Sequence, residues 1–201
     1  MSSYDKKFHE KTKNEEPRTL AKKLMEVLAK PSRIIDLGAG AGVDAKHFIE
    51  NGHTVIAVDR ETTVLEDLKI ELSNKNINGL EVVKADLYEM KLPQVDCVYA
   101  SFSLPFCPTH LFEQKWHQLE SQIPNGATIA MIFFGKNDSW AEWTERFTFH
   151  SKSEIETLFK AYDLLHLEEL ENDGTSMRPN GEIVTKHWHT LSVIGRKKSI
   201  I

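Results

Sequence analysis

The feature that most constrains the fold is a short apolar run that breaks into alternating glycines. A β-branched run at 33–37, with one acid near its end, is followed by Gly38, Gly40 and Gly42, and a helical pattern then covers 43–50. In parallel α/β sheets, a strand, a glycine turn and a helix start in this order form the first ligand site. Glycine permits backbone conformations closed to other residues, and the free N–H groups of the helix start face the ligand. The sequence therefore predicts a nucleotide-type ligand at this turn.

Strand and helix patterns alternate along the rest of the chain. Further strand patterns lie at 54–59, 80–84, 94–101, 127–134, 164–170 and 183–195. Helical patterns separate most of them, but none lies between 84 and 94. Between the last two strands, a polar, glycine-containing segment at 171–182 reads as a loop. Such an alternation predicts a mostly parallel sheet in which one strand is antiparallel.

Composition bounds the class of protein. A chain of 201 residues predicts one domain over 1–201, whose first 30 residues form a helical arm. The net charge of −5 without a basic cluster argues against nucleic acid as a partner. The polar start at 1–13 lacks the apolar core of a signal peptide, and no apolar run is long enough to cross a bilayer. We therefore expect a cytoplasmic protein without a membrane partner, either a monomer or a homodimer.

The position of the acids decides between cofactor classes for the glycine turn. A dinucleotide fingerprint requires its third glycine at the position of Val43, whereas this chain has Gly42, and Asp36 precedes the first glycine. A carboxylate there favours a cationic ligand without phosphates, such as S-adenosylmethionine (SAM). Asp59, at the end of the second strand, can accept from both ribose hydroxyls, and Asp86, after the third strand, can accept from the adenine amino group.

With these motifs the chain resembles the class I SAM-dependent methyltransferases, from about 19 to 197. The matching stretches are 36–42 (DLGAGAG), Asp59, 85–87 (ADL) and 124–126 (PNG). The resemblance implies a Rossmann-like three-layer sandwich with a seven-stranded, mostly parallel sheet whose last strand is antiparallel. It implies SAM as cofactor and S-adenosylhomocysteine as product. The cofactor-binding residues that it implies are Asp36, Gly38, Ala39, Gly40, Gly42, Asp59, Arg60, Asp86, Leu87 and Ser101.

The stretch after the fourth strand bears on the methyl acceptor. Residues 101–104 (SFSL) are similar to the serine-x-x-leucine run of small-molecule methyltransferases, and the tellurite-resistance type resembles the chain best. Ligands of parallel sheets bind beyond the carboxyl ends of the strands, so aromatic residues of those loops are candidates for a substrate pocket. These candidates are Phe102, Phe106, Trp140 and Trp143, together with Tyr4, which could form a lid with Phe8.

Methyl transfer from a sulfonium needs alignment and desolvation, and it needs a base only if the acceptor must lose a proton. We therefore expect no catalytic triad and no metal. Alternation along the last strand places His187 and His189 on one face, and Lys186 with Trp188 on the other. The two histidines are candidate proton acceptors or acceptor-orienting groups, and the alternative is that they are hydrogen-bonded sheet residues.

Three other functions fit parts of the sequence. An N-methyltransferase of nucleic acid or protein would carry a polar residue, two prolines and an aromatic residue after strand four, and 103–106 (SLPF) is a near match. An NAD(P)-dependent oxidoreductase is disfavoured by Val43 and Asp36. A non-catalytic SAM-binding module would keep the cofactor loop without an acceptor pocket.

Overall fold

The computed structural model describes residues 3–177 and 181–199, with side chains from residue 5 onward. The chain divides into two compact units, Met1–Tyr99 and Ala100–Ile201, so the single-domain interpretation stays a prediction. The elements in chain order are α1 (Ser3–Thr12), α2 (Thr19–Val27), β1 (Arg33–Leu37), α3 (Val43–Glu50), β2 (Thr54–Asp59), α4 (Thr63–Asn74), β3 (Leu80–Lys84), β4 (Cys97–Ala100), α5 (Thr109–Glu120), β5 (Thr128–Gly135), β6 (Phe149–His150), α6 (Lys152–Leu158), β7 (Tyr162–Met177) and β8 (Ile183–Lys197).

The first unit is built on parallel strands in the order β3-β2-β1-β4. Ile35 of β1 lies between Ile56 of β2 and Val98 of β4, and all three side chains are buried. Strands covered on both faces are continuously apolar, which is the pattern that β1, β2 and β4 show in the sequence. Leu24 of α2 and Phe48 of α3 are also fully buried in this unit. The predicted strand–turn–helix order around the glycines is thus present.

The second unit is centred on β5, which is buried along its whole length. β5 pairs with the short β6 in parallel and with β8 in antiparallel orientation, and β8 also pairs antiparallel with β7. The antiparallel last strand was predicted, whereas the two-residue β6 was not. α6 begins with a capping box, because Ser151 accepts from the N–H of Glu154 while the Glu154 carboxylate accepts from the N–H of Ser151.

The prediction of a loop at 171–182 is wrong for residues 171–177, which belong to a strand. β7 continues to Met177, and its pairing with β8 runs from Tyr162 opposite Lys197 to Met177 opposite Ile183. The polar residues there lie on exposed strand surface, and the partner strand satisfies the backbone groups. A polar strand that is exposed on both faces lacks the apolar alternation on which a strand prediction depends.

Candidate functional site

The glycine turn after β1 is fixed by backbone hydrogen bonds and by packing. The N–H groups of Gly38 and Ala39 both donate to the carbonyl oxygen of Val58, at 2.8 and 2.9 Å. Gly42 has a φ of 77°, and a Cβ there would lie 2.7 to 2.8 Å from the side chains of Leu68 and Leu65. The third glycine is therefore required both by the left-handed backbone and by the contact with α4.

Asp36 is a buried carboxylate directly beneath this turn. Its side chain is nearly inaccessible, with 2% of the residue exposed. Burial raises the pKa of Asp36 well above its usual value, and the charges of Asp44 and Asp59 raise it further, while Arg18 opposes them. A carboxylate in such a place favours a cation beside it. The turn and Asp36 thus fit the amino group and sulfonium of SAM.

Asp44, in the first turn of α3, ties the start of α2 to this site. Its carboxylate accepts a hydrogen bond from the hydroxyl of Tyr99 at 2.7 Å and another from the N–H of Arg18 at 2.9 Å. Sequence reasoning missed this residue. The available signal was an acid in the first turn of the helix that follows the glycines, a position that a helix dipole also favours.

Asp59 joins the glycine turn to the segment that follows β2. One carboxylate oxygen accepts from the N–H of Gly40 at 2.9 Å, and the other accepts from the N–H of Glu61 at 3.0 Å. Each oxygen has a second lone pair, so both remain able to accept from the ribose hydroxyls. The backbone bonds hold this carboxylate in one orientation before a ligand binds.

Asp86 lies on the neighbouring segment of the same unit. One oxygen accepts from the N–H of Tyr88 at 2.9 Å, and the other lies 4.0 Å from a guanidinium nitrogen of Arg60. The N–H of Ala85 donates to the carbonyl of Asp59, which connects the two acidic strand ends. The first unit therefore brings together the predicted cofactor residues Asp36, Gly38, Ala39, Gly40, Gly42, Asp59, Arg60, Asp86 and Leu87. Ser101 belongs to the second unit.

The predicted lid falls on α1, which packs against α4. Phe8 is partly buried there, and the neighbouring His9 is buried close to Gly40. The side chain of Tyr4 lies outside the described residues. The structure thus places the arm beside the glycine turn, while its movement stays a prediction.

The second unit holds the predicted aromatic residues of the substrate pocket in one aromatic cluster. Phe134 is its centre, with ring centroids 6.1 Å from Phe102, 5.9 Å from Phe106 and 6.1 Å from Trp140. Trp143 stacks on Trp140 at 5.7 Å. Further members are Phe147, Phe149 and Trp188. Phe106 and Trp143 are about half exposed, so the aromatic cluster presents an apolar surface.

A buried ion pair adjoins the aromatic cluster and was not anticipated. The ammonium of Lys186 contacts the carboxylate of Asp138, and both side chains are fully shielded from water. The same ammonium lies 4.0 Å from the ring centroid of Trp188, 4.1 Å from that of Trp140 and 5.4 Å from that of Phe134. Burial lowers the pKa of Lys186, and Asp138 acts against that shift. The alternation of β8 had placed Lys186 and Trp188 on one face, but nothing in the sequence pointed to Asp138 as the partner.

The two histidines of β8 differ in their surroundings. His189 is buried. Its Nδ1 accepts from the N–H of Asn137 at 3.0 Å, so its Nε2 carries the proton and donates to Glu169 at 2.9 Å. His187 is partly exposed and lies between Asp173, at 2.7 Å, and Glu171, at 3.0 Å. These acids raise the pKa of His187. A catalytic role for either histidine stays a prediction.

Neither a metal site nor a membrane-spanning helix is present in the described part of the chain. Within residues 3–177 and 181–199, no group of three or more His, Cys, Asp or Glu side chains is arranged to hold a metal ion. No helix in the part of the chain that the structure describes is long and apolar enough to span a bilayer.

Cys97 and Cys107 are buried free thiols, and burial raises the pKa of Cys97, which disfavours its reactive thiolate.

Comparison with protein families gives a match to the part of the chain around the glycine turn. Residues 34–122 match the family described as "Methyltransferase domain". No curated protein matches the sequence of the chain. The matched range begins in β1 and ends just beyond α5, so it contains all of the predicted cofactor residues.

Solved structures show the fold. TehB from Haemophilus influenzae is 13% identical, with a TM-score of 0.74 over 97% of this chain and 67% of TehB. A 1,6-didemethyltoxoflavin-N1-methyltransferase from Burkholderia thailandensis, solved with that compound and S-adenosylhomocysteine, is 18% identical, with a TM-score of 0.63 over 90% of this chain and 78% of its own. The N-methyltransferase NodS from Bradyrhizobium japonicum, in complex with S-adenosylhomocysteine, is 8% identical, with a TM-score of 0.64 over 98% of this chain and 89% of its own. The predicted Rossmann-like class, a mostly parallel mixed sheet with antiparallel C-terminal strands, is confirmed.

Proposed function

We propose that this chain is a SAM-dependent methyltransferase that transfers the methyl group to a small-molecule acceptor, and the match of residues 34–122 to a methyltransferase domain supports this proposal. The observation that carries the cofactor site is Asp36, a buried acid with a raised pKa beneath a glycine turn. A buried carboxylate without a strong cationic partner costs free energy, and a bound cation relieves that cost. A neutral or anionic nucleotide would leave the cost in place.

In this proposal the three acidic residues at the strand ends have distinct roles. Asp36 attracts the cationic end of the cofactor, and Asp59, held by two backbone N–H groups, accepts from the ribose hydroxyls. Asp86 accepts from the adenine amino group. When bound, SAM supplies an activated methyl group and a thioether leaving group that departs neutral. The residues of the chain therefore act by positioning and by excluding water.

The aromatic cluster of the second unit supports an apolar or aromatic acceptor. Phe106 and Trp143, at 51% and 48% exposure, are large rings that the fold leaves open. Isolated exposed apolar residues are common, but two rings that adjoin one buried aromatic cluster form a continuous surface of the kind that binds small molecules. The Burkholderia thailandensis methyltransferase was solved with a small molecule bound, 1,6-didemethyltoxoflavin.

We propose different roles for the two histidines of β8. We assign any proton-accepting role to His187, because its side chain is 39% exposed. Asp173 and Glu171 engage both of its ring nitrogens and raise its pKa, so this role requires that the acceptor displaces one of these carboxylates. His189 is buried with both ring nitrogens engaged, so it positions β8. A base is needed only for an acceptor that must lose its proton during transfer.

The N-methyltransferase alternative depends on the stretch at 103–106. Ser103 and Leu104 are both buried, whereas a residue that holds the acceptor nitrogen must reach the acceptor. The acidity of the chain further disfavours a phosphate-rich substrate. We therefore propose this function only as the second outcome of the experiment below.

Release of S-adenosylhomocysteine tests the proposal. The purified chain is incubated with SAM and thiol, chalcogen-oxyanion, amine or carboxylate acceptors, and with RNA, DNA and protein. We expect turnover with at least one small molecule and none with the macromolecules. A double variant, Phe106→Ala with Trp143→Ala, should raise the KM for that acceptor at least fivefold and leave the Kd for S-adenosylhomocysteine unchanged. Turnover with a macromolecule alone would refute the small-molecule assignment.

A further inference from the structure

The N-terminal helix places a histidine over the glycine turn. His9 of α1 is buried, and its Nε2 lies 3.7 Å from the position that a Cβ on Gly40 would occupy. A Cβ there would be in ordinary contact with the imidazole, so the ring lies beside the turn with room for about one carbon atom between them. Because Gly40 also donates its N–H to Asp59, His9 stands next to the predicted ribose ligand.

His9 faces Glu61 at ion-pair distance, but too far for a direct hydrogen bond. Its Nδ1 lies 3.6 Å from Oε2 of Glu61. Both atoms are buried, and neither makes a hydrogen bond in the part of the chain that the structure describes. The other carboxylate oxygen of Glu61 is occupied, since it accepts from the N–H and the hydroxyl of Thr63. Buried polar groups are rarely left unpaired in folded proteins, so two adjacent ones point to a missing ligand group.

The spacing of these atoms indicates a hydroxyl. One hydroxyl oxygen can donate to a carboxylate and accept from an imidazole N–H, with about 2.8 Å to each partner. A single oxygen can bridge two partners 3.6 Å apart at such distances with an acute angle of about 80°, and a small outward shift of α1 would widen that angle. Glu61 donates its backbone N–H to Asp59, so the pair adjoins the carboxylate assigned to the ribose.

We propose that His9 and Glu61 are additional cofactor ligands that bind a ribose hydroxyl of SAM when α1 closes over the glycine turn. This inference rests on the proposed cofactor site. Both atoms are shielded from water in this state, so α1 must lift before the cofactor enters and then close on it. The helix is therefore a part of the cofactor site, and Asp59 does not hold the ribose alone.

Calorimetry with S-adenosylhomocysteine and its 2′-deoxy and 3′-deoxy analogues tests the assignment. His9→Phe keeps a ring of similar size without nitrogen, and Glu61→Gln keeps the shape without charge. We expect each variant to weaken the binding of S-adenosylhomocysteine roughly tenfold. For one of the two deoxy analogues, the variants should bind as the wild type does, because the hydroxyl that they serve is already absent. His110→Phe, a change of an exposed histidine on α5, is the matched control and should alter nothing.

The outcomes separate this inference from the proposed function. Wild-type binding together with unchanged binding by His9→Phe and Glu61→Gln would overturn the ligand assignment and leave the methyltransferase proposal intact. Tighter binding by His9→Phe would also overturn it, since His9 would then obstruct the site. Equal losses for the parent compound and both deoxy analogues would show that the histidine acts on the helix and not on a hydroxyl. A wild-type chain that binds no S-adenosylhomocysteine would contradict the cofactor site itself.

Discussion

Lys186 and Asp138 form an ion pair in which neither side chain is accessible to water. Asp138 also accepts from the N–H of Trp140 at 2.9 Å and from the N–H of His189 at 3.4 Å. Together with the rings of Trp140 and Trp188, this carboxylate surrounds the ammonium almost completely. The pair therefore holds the segment after β5 against β8, and it packs against Trp140, on which Trp143 of the proposed acceptor surface stacks.

Loss of the ammonium should be strongly destabilising. In Lys186→Met, Asp138 remains buried without its counter-charge, and the free energy of unfolding should fall by about 3 kcal/mol. Urea denaturation followed by circular dichroism measures the change. Lys160→Met, which alters an exposed lysine of the same unit, should lie within about 0.5 kcal/mol of the wild type. If both variants were equally stable, the buried ion pair would contribute nothing to the stability of the fold.

Asp36 should lower the stability of the free protein and strengthen the binding of the cofactor. Asp36→Asn removes a charge that is unfavourable when buried, so the free protein should unfold at higher temperature, with a gain of about 1 kcal/mol. The same variant should bind S-adenosylhomocysteine at least tenfold more weakly, because the amide offers no charge to the amino group. Differential scanning calorimetry and titration calorimetry measure the two effects. Asp67→Asn, an exposed change on α4, should move neither; a variant with lower stability and normal affinity would contradict our reading of Asp36.

The sequence predicted the glycine turn and the acidic strand ends of the first unit, and it predicted less of the second unit. The glycine turn, Asp36 and Asp59 were predictable because parallel strands are short apolar runs whose ends carry local motifs. The extension of β7 to Met177 was not, because an exposed polar strand has no periodic signal. Contacts between distant parts of the sequence, such as Asp138 with Lys186, depend on strand register, which the sequence does not reveal for two residues 48 positions apart.

The two residues that we propose as additional cofactor ligands could not be predicted for the same reason. His9 and Glu61 lie in segments whose composition is ordinary for solvent-facing helix and loop. Only the packing of α1 against α4 brings them together at the end of β2. The sequence did suggest a closing arm through Tyr4 and Phe8, but it could not identify which side chain of the arm meets the glycine turn.

His150 should make the protein sensitive to acid. Its ring packs between Phe112 and Phe133, and burial lowers its pKa from 6.5 to about 4. The unfolded chain takes up a proton near pH 6.5 and the folded chain only near pH 4, so stability is lost as the pH falls through this window. The loss should reach about 3 kcal/mol. His150→Phe should abolish most of this slope in urea titrations from pH 7 to 4, whereas His110→Phe should retain it; an unchanged slope in His150→Phe would assign the effect to other groups.

His189 lies so close to Gly135 that no side chain fits at position 135. A substitution of this glycine therefore tests the positioning role that we propose for the histidine. A Cβ at Gly135 would lie 2.2 Å from the imidazole ring, which Asn137 and Glu169 hold in place. Gly135→Ala should therefore displace the ring and cost about 3 kcal/mol, measured by urea denaturation. Gly126→Ala, where φ is 80° but no atom lies within 4 Å, should cost only about 1 kcal/mol of backbone strain. Because the clash disappears with the ring, Gly135→Ala should add little to a His189→Ala background. Full additivity of the two changes would mean that His189 is not the group that excludes a side chain at this position.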